Sequence, residues 1–190
     1  MDKDDVEGRH YKDEDFFRQP LPEGNYENCR FTACSFNKAD LRDISFIDCR
    51  FEACDFSAAR LENTALREVR FVSCKMLGLH FEHCKEMFLA MSFESSILDL
   101  SSFYKMSLRG IPFENCSLKE TDFTSADLCE AVFKDCDLEG AIFDGTTLIK
   151  ADLRSATNFS IDPENNRIRG ARFSRANIQG LLDKYEIVME

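Results

Sequence analysis

Ala126-Asp127-Leu128-Cys129-Glu130-Ala131-Val132-Phe133-Lys134-Asp135-Cys136-Asp137-Leu138-Glu139-Gly140 carries a period of five. Every fifth residue (Leu128, Phe133, Leu138) is large and apolar. Two places earlier stands a small residue (Ala126, Ala131, Cys136), and the other positions are mostly polar. Stepping outward by five, the large apolar positions run from Phe88 through Phe93 and Leu98 to Leu148 and Leu153, fourteen without a miss. A second block steps from Tyr11 through Phe16, Leu21 and Tyr26 to Met76 and Phe81, fifteen more. With 44% apolar residues overall, chance does not produce such a run. A period of five matches neither the helix nor the ordinary strand. It requires a backbone that turns its side chains inward twice in every five residues. Four such units close a square coil of twenty residues, and stacked coils share one continuous core, as in other solenoids.

The small slot explains the cysteines. Cys29, Cys34, Cys49, Cys54, Cys74, Cys116 and Cys136 occupy it, as does Cys84 when the first frame is extended. There they act as small hydrophobes. Nine cysteines is an odd number in a chain that opens with the charged Met1-Asp2-Lys3-Asp4-Asp5, which has no signal-peptide pattern, so a disulfide framework is not expected. Cys129 follows the centre Leu128 and is expected to face outward as an exposed thiol. The two blocks are out of phase by two residues, and the break lies between Phe81 and Phe88, at residues 82–87. His80, His83 and Cys84 crowd there without an evident third ligand or orienting carboxylate, and a tolerated phase slip is the plainer reading.

The sequence thus divides into a polar arm over residues 1–10, expected to be flexible, a solenoid over 11–173, and a tail over 174–190. Ahead of the tail, Pro163 and Glu164-Asn165-Asn166 read as a turn, and Ser174 is placed to cap a short α-helix. Ile178, Leu181, Leu182 and Tyr185 form one stripe at helical spacing. Ile187, Val188 and Met189 extend it. This surface either caps the last coil or pairs two chains.

Segments such as Cys54-Asp55-Phe56-Ser57-Ala58, Ala126-Asp127-Leu128-Cys129-Glu130 and Ala151-Asp152-Leu153-Arg154-Ser155 resemble the A-(D/N)-(L/F)-x-x unit of the pentapeptide-repeat family over residues 11–157. The resemblance implies an all-β solenoid, a right-handed quadrilateral β-helix of about seven to eight coils. In the branch of the Qnr quinolone-resistance proteins, MfpA and McbG it implies a rod that mimics DNA, binds DNA gyrase or topoisomerase IV, and dimerises through its C-terminal apolar segment. Qnr proteins carry long projecting loops that govern drug protection, whereas this chain has only two extra residues.

Charge is consistent with a basic partner. The net charge of −11 disfavours direct contact with nucleic-acid phosphates. Residues 111–153 carry ten acids (Glu114, Glu120, Asp122, Asp127, Glu130, Asp135, Asp137, Glu139, Asp144 and Asp152) against Lys119, Lys134 and Lys150, a balance of −7. These acids are the expected contact set. No catalytic motif, cofactor loop or metal-ligand spacing is evident, so the sequence reads as a cytoplasmic, non-enzymatic binding protein without a cofactor. A general interaction scaffold with a partner other than a topoisomerase is the alternative.

Overall fold

The computed structural model describes residues 4–187. Eleven short strands form in chain order: β1 Asp4–Glu7, β2 His10–Lys12, β3 Gly24–Glu27, β4 Arg30–Thr32, β5 Ser45–Ile47, β6 Arg50–Glu52, β7 Ala65–Arg67, β8 Val69–Val72, β9 Met91–Glu94, β10 Pro112–Glu114 and β11 Val132–Lys134. They pair in parallel into two sheets, ordered β1-β3-β5-β7 and β2-β4-β6-β8-β9-β10-β11. The pairing register is twenty residues: Tyr11 lies against Phe31, Phe31 against Phe51 and Phe51 against Phe71. The other two faces are held by isolated bridges at the same spacing, such as Ser35 with Asp55 and Asp122 with Ile142. The seven-stranded sheet spans six turns, and bridges from Val132 to Asp152 and from Asp152 to Arg172 carry the ladder further.

The five-residue period becomes a square coil because a left-handed residue follows two places after most centres. Asp13, Ala53 and Glu130 sit there at φ of 55°, 54° and 61°. For a residue with a Cβ this conformation costs about 1–2 kcal/mol. It is held in place by the coil above: the Asp13 N–H donates to the Thr32 carbonyl at 3.0 Å, and the Ala33 N–H to the Glu52 carbonyl at 2.8 Å. The small slot has its own bond. Thr64 Oγ1 donates to the Leu41 carbonyl at 2.7 Å, Thr146 Oγ1 to Phe123 at 2.8 Å and Cys49 Sγ to Tyr26 at 3.2 Å. Thus the slot suits a short side chain, and where that side chain carries a donor it adds a bond to a carbonyl of the coil before; those of Leu41 and Phe123 also accept the Ile44 and Ala126 N–H.

The aromatic centres stack as the strands do. Tyr11, Phe31, Phe51, Phe71, Phe93, Phe113 and Phe133 form one pile with ring centroids 4.7, 4.7, 5.3, 5.3, 5.3 and 5.2 Å apart. Those spacings match the strand separation of about 4.8 Å. The pile crosses the break undisturbed, because Phe71 pairs with Phe93 at a register of 22 rather than twenty.

Four expectations require correction. Residues 4–10 are not a flexible arm: β1 pairs with β3 and β2 with β4, so they begin the first coil. Their polar composition concealed this, since an end coil has a neighbour on one side only and keeps fewer inward apolar residues. Phe88 is not a centre. It is 72% exposed at φ 61°, beside exposed Met87. The Lys85 N–H still bonds Thr64 and the Ala90 N–H bonds Leu66, so the extra length bulges outward between residues 85 and 90. Half-buried Leu89 packs on the core instead. Cys129 is only 6% exposed. It lies against Asp127 and Arg109, which cover it from its own coil and the one before. Finally, the tail is not an α-helix but two 3-10 turns, Ile178–Leu181 and Asp183–Tyr185. Gly180 interrupts the helical stripe, and so short a segment is marginal as a helix.

Candidate partner-binding surface

The backbone distributes the ten predicted acids by their place in the five-residue unit. Asp122, Asp127, Asp137 and Asp152 stand one residue before a centre, where the carboxylate reaches forward to the turn. Asp122 accepts the Thr124 N–H at 2.8 Å, Asp127 the Cys129 N–H at 3.0 Å and Asp137 the Glu139 N–H at 3.2 Å. Asp152 accepts the Arg154 N–H at 3.2 Å and pairs with its guanidinium at 2.6 Å. These are Asx-type turn caps, repeated at Asp40 and Asp55 in the first block. Composition alone assigns such acids to a partner; the structure gives them local work. Burial works against the ionisation of Asp127 and Asp137, yet their donors (Cys129 and Arg109, Asn158 and Lys119) outweigh it and hold both carboxyls below the ordinary range. The Arg154 guanidinium does the same for Asp152.

The remaining six face outward from the coil corners. Glu114 pairs with Lys134, Glu139 with Lys119 at 2.6 Å and Glu130 with Lys150 at 3.1 Å, each across one coil. Asp144 accepts from the Asn165 amide. Exposed pairs of this kind contribute about 0–1 kcal/mol. Among the described residues, neither the Glu120 nor the Asp135 carboxylate has a hydrogen bond or ion pair. The three lysines are thus engaged, Arg109 and Arg154 from just outside the stretch pair with Asp127 and Asp152, and Glu120 and Asp135 are the carboxylates most available to an outside cation.

A different polarity marks the first block. His10, Arg30, Arg50 and Arg70 stack in register along β2, β4, β6 and β8. Beyond Arg70 the column shrinks to Ser92 and Pro112, leaving an open groove of about 430 Å³ that Arg50, Arg70, Glu94 and Glu114 help to line.

The predicted dimer residues split. Leu181 is half-buried and packs on the core, so it belongs to a cap. Leu182 is half-buried. Ile178, Tyr185 and Ile187 are about half exposed, at 49%, 50% and 53%. Val188 and Met189 lie outside the described residues. Asn177 carries no signal in the sequence, yet it holds the tail. Its Nδ2 donates at 2.8 Å to the carbonyls of both Leu153 and Ala156, sealing the last coil, while Ser174 and Asn177 exchange side-chain-to-backbone bonds. The Gly180 carbonyl accepts the Ile161 N–H at 2.8 Å, and a Cβ there would lie 2.2 Å from the Phe159 carbonyl oxygen. Lys184 ties the tail to Asp162 and Glu164, both at 2.6 Å.

Among the described residues no helix is long and apolar enough to cross a membrane. Compared with known proteins, residues 22–85 and 45–123 match the profile of the pentapeptide repeat region, and residues 131–160 match that of eight-copy pentapeptide repeats. No curated protein matches the sequence significantly. Among solved structures the chain is similar to a trypsin-treated point variant of QnrB1, a plasmid-mediated fluoroquinolone resistance protein: TM-score 0.59, 20% identity, covering 98% of this chain and 92% of that one. It is also similar to HetL, a pentapeptide repeat protein involved in heterocyst differentiation regulation from the cyanobacterium Nostoc sp. strain PCC 7120. There the TM-score is 0.60 at 18% identity, covering 92% and 88%. At these identities the likeness is one of fold.

Proposed function

The chain belongs to the pentapeptide-repeat family, and from that premise we propose that it is a non-enzymatic, cytoplasmic binding rod whose C-terminal half docks on a basic protein surface. The observation that carries the reading is the excess of seven negative charges over residues 111–153, with Glu120 and Asp135 unpaired at coil corners. A rod bearing spaced carboxylates presents a basic groove with the charge pattern of a nucleic-acid backbone. DNA gyrase and topoisomerase IV are the candidate partners, in keeping with the Qnr-like fold. In this reading two chains pair through Ile178, Tyr185 and Ile187, extending the acidic surface about the dimer axis.

The test is a gyrase supercoiling assay with the protein titrated in, with and without a fluoroquinolone. Restored supercoiling in drug supports protection; inhibition without drug supports a DNA mimic that does not protect. The Glu120→Lys/Asp135→Lys variant weakens either effect at least tenfold while leaving the melting temperature unchanged. No effect in either arm would refute the topoisomerase partner.

A second reading, a scaffold for another protein, is favoured by the bulge. Met87 and Phe88 project an apolar knob at the phase break, which DNA mimicry does not require.

A further inference from the structure

The phase break holds a second feature, independent of the acidic surface. His80, Glu82 and His83 stand on the outside of one tight 3-10 turn, Phe81–His83, whose centre Phe81 is buried and stacks on Phe103 at 4.6 Å. The buried ring fixes the turn, and the turn aims all three donors to one side. His80 Nδ1 lies 2.9 Å from Glu82 Oε1, and the two imidazoles stack at 5.3 Å. One ligand atom from each residue falls within 4.8 Å of the others. Cys84, the neighbour that the sequence placed with the histidines, is buried in the core and takes no part.

The carboxylate is incompletely satisfied. Glu82 Oε2 is shielded from water and has no hydrogen-bond partner. One coil below, in the register set by the Asn63 N–H donating to the His83 carbonyl at 2.9 Å, stands a second acid, Glu62. Its Oε2 is likewise shielded without a hydrogen bond, with the Arg60 guanidinium at 3.8 Å. Arg60 stands beside Glu62, but Glu82 Oε2 has no such neighbour among the ion pairs of the described residues, and withdrawing a carboxylate oxygen from water is costly without a cation beside it. Lys105, one coil above His83 in the ladder, does not supply it: its ammonium lies over the Tyr104 ring at 4.8 Å.

We propose that His80, Glu82 and His83 form a binding site for a borderline divalent cation of the Zn²⁺ class. Two imidazoles and one carboxylate are a donor set this class accepts, and three protein ligands leave a fourth position for water or a partner's side chain. Zn²⁺ bonds of about 2.0–2.2 Å place tetrahedral donors about 3.4 Å apart. The three donors, now within 4.8 Å of one another, need side-chain rotation to close to that separation. Exposed His80 and His83 leave the site open to entry. The two imidazoles were legible in the sequence; the third ligand was not, because Glu82 joins them only when the turn folds its carboxylate back onto His80.

The experiment titrates ZnCl₂ into the full chain, stripped of metal and kept reduced, by isothermal calorimetry. One ion per chain is expected. His80→Ala/His83→Ala abolishes saturable binding, Glu82→Gln weakens it at least tenfold, and His10→Ala leaves it unchanged. Co²⁺ substitution then reports the donors: a visible ligand-field spectrum without thiolate charge-transfer bands is expected. Absence of saturable binding, equal binding by the double variant, or thiolate bands would each overturn the proposal. Glu82→Gln keeps the test decisive if the double variant fails to fold.

Discussion

Phe123→Ala isolates the energetics of the core. The Phe123 side chain is fully buried. Its ring stacks on Phe103 at 5.4 Å and on Phe143 at 5.3 Å, and meets Phe113 and Phe133 edge-on at 6.1 and 5.9 Å. All four neighbours are anchored by their own coils, so none can move in to fill the void. Truncation therefore costs close to the full range for a buried phenylalanine, about 3–5 kcal/mol, with the lost ring pairs favouring its upper half. For a chain of this length each kcal/mol lowers the melting temperature by about 2–4 °C, which predicts a fall of about 6–20 °C. The comparison is Lys134→Ala, one turn position outward, which removes only an exposed pair with Glu114 and should cost about 0.5 kcal/mol. Both are measured by circular dichroism melts and urea titration on the same preparation. Equal shifts for the two variants would refute the inward and outward assignment on which the whole repeat frame rests.

Gly180→Ala drives a Cβ into the Phe159 carbonyl and ring. It should lift the tail, costing about 1–3 kcal/mol and exposing residues beyond Ser174 to limited proteolysis; an unchanged digestion pattern would argue against the cap. Gly78→Ala, where nothing lies within 4 Å, pays only for its left-handed backbone and leaves the digest unaltered. Hydrogen bonds from Arg42 hold the Asp40 carboxyl at about 2, below its unfolded value of about 3.9. Its contribution to stability is therefore complete above pH ~4 and lost as pH falls through about 2; melts of wild type and Asp40→Asn should converge across that window, and parallel curves would contradict it. All nine thiols are free and buried, and burial pushes Cys49 and Cys84 up to about 12. A thiol reagent should label none of them, Cys129 included, until denaturant is added; rapid labelling of one native thiol would place Cys129 outside.

The charge pattern shows how sequence and structure divide the functional surface. The excess of acids over residues 111–153 was legible by counting. Which of them are free was not, because Asp127 and Glu130 look alike in sequence and differ by three places in the turn. One caps a backbone N–H and the other reaches a lysine a coil away. The same limit hid Asn177, an unremarkable amide in the sequence that seals two carbonyls of the last coil.

What the sequence determined alone was everything that repeats within five residues. A backbone that must bury a large and a small side chain in each unit writes that need into every unit, so period, coil size, small slots and core follow from the order of residues. The features settled by stacking involve residues about twenty apart or the ends where repetition stops. Residues 4–10 join the first coil because β3 and β4 offer them an edge. Phe88 turns outward because Phe71 must meet Phe93. Cys129 is covered because Arg109 lies beside it, and the tail is bent into 3-10 turns because Gly180 must press on Phe159. Each of these outcomes is a contact between neighbouring coils, and the energy of such a contact exists only once the coils are stacked.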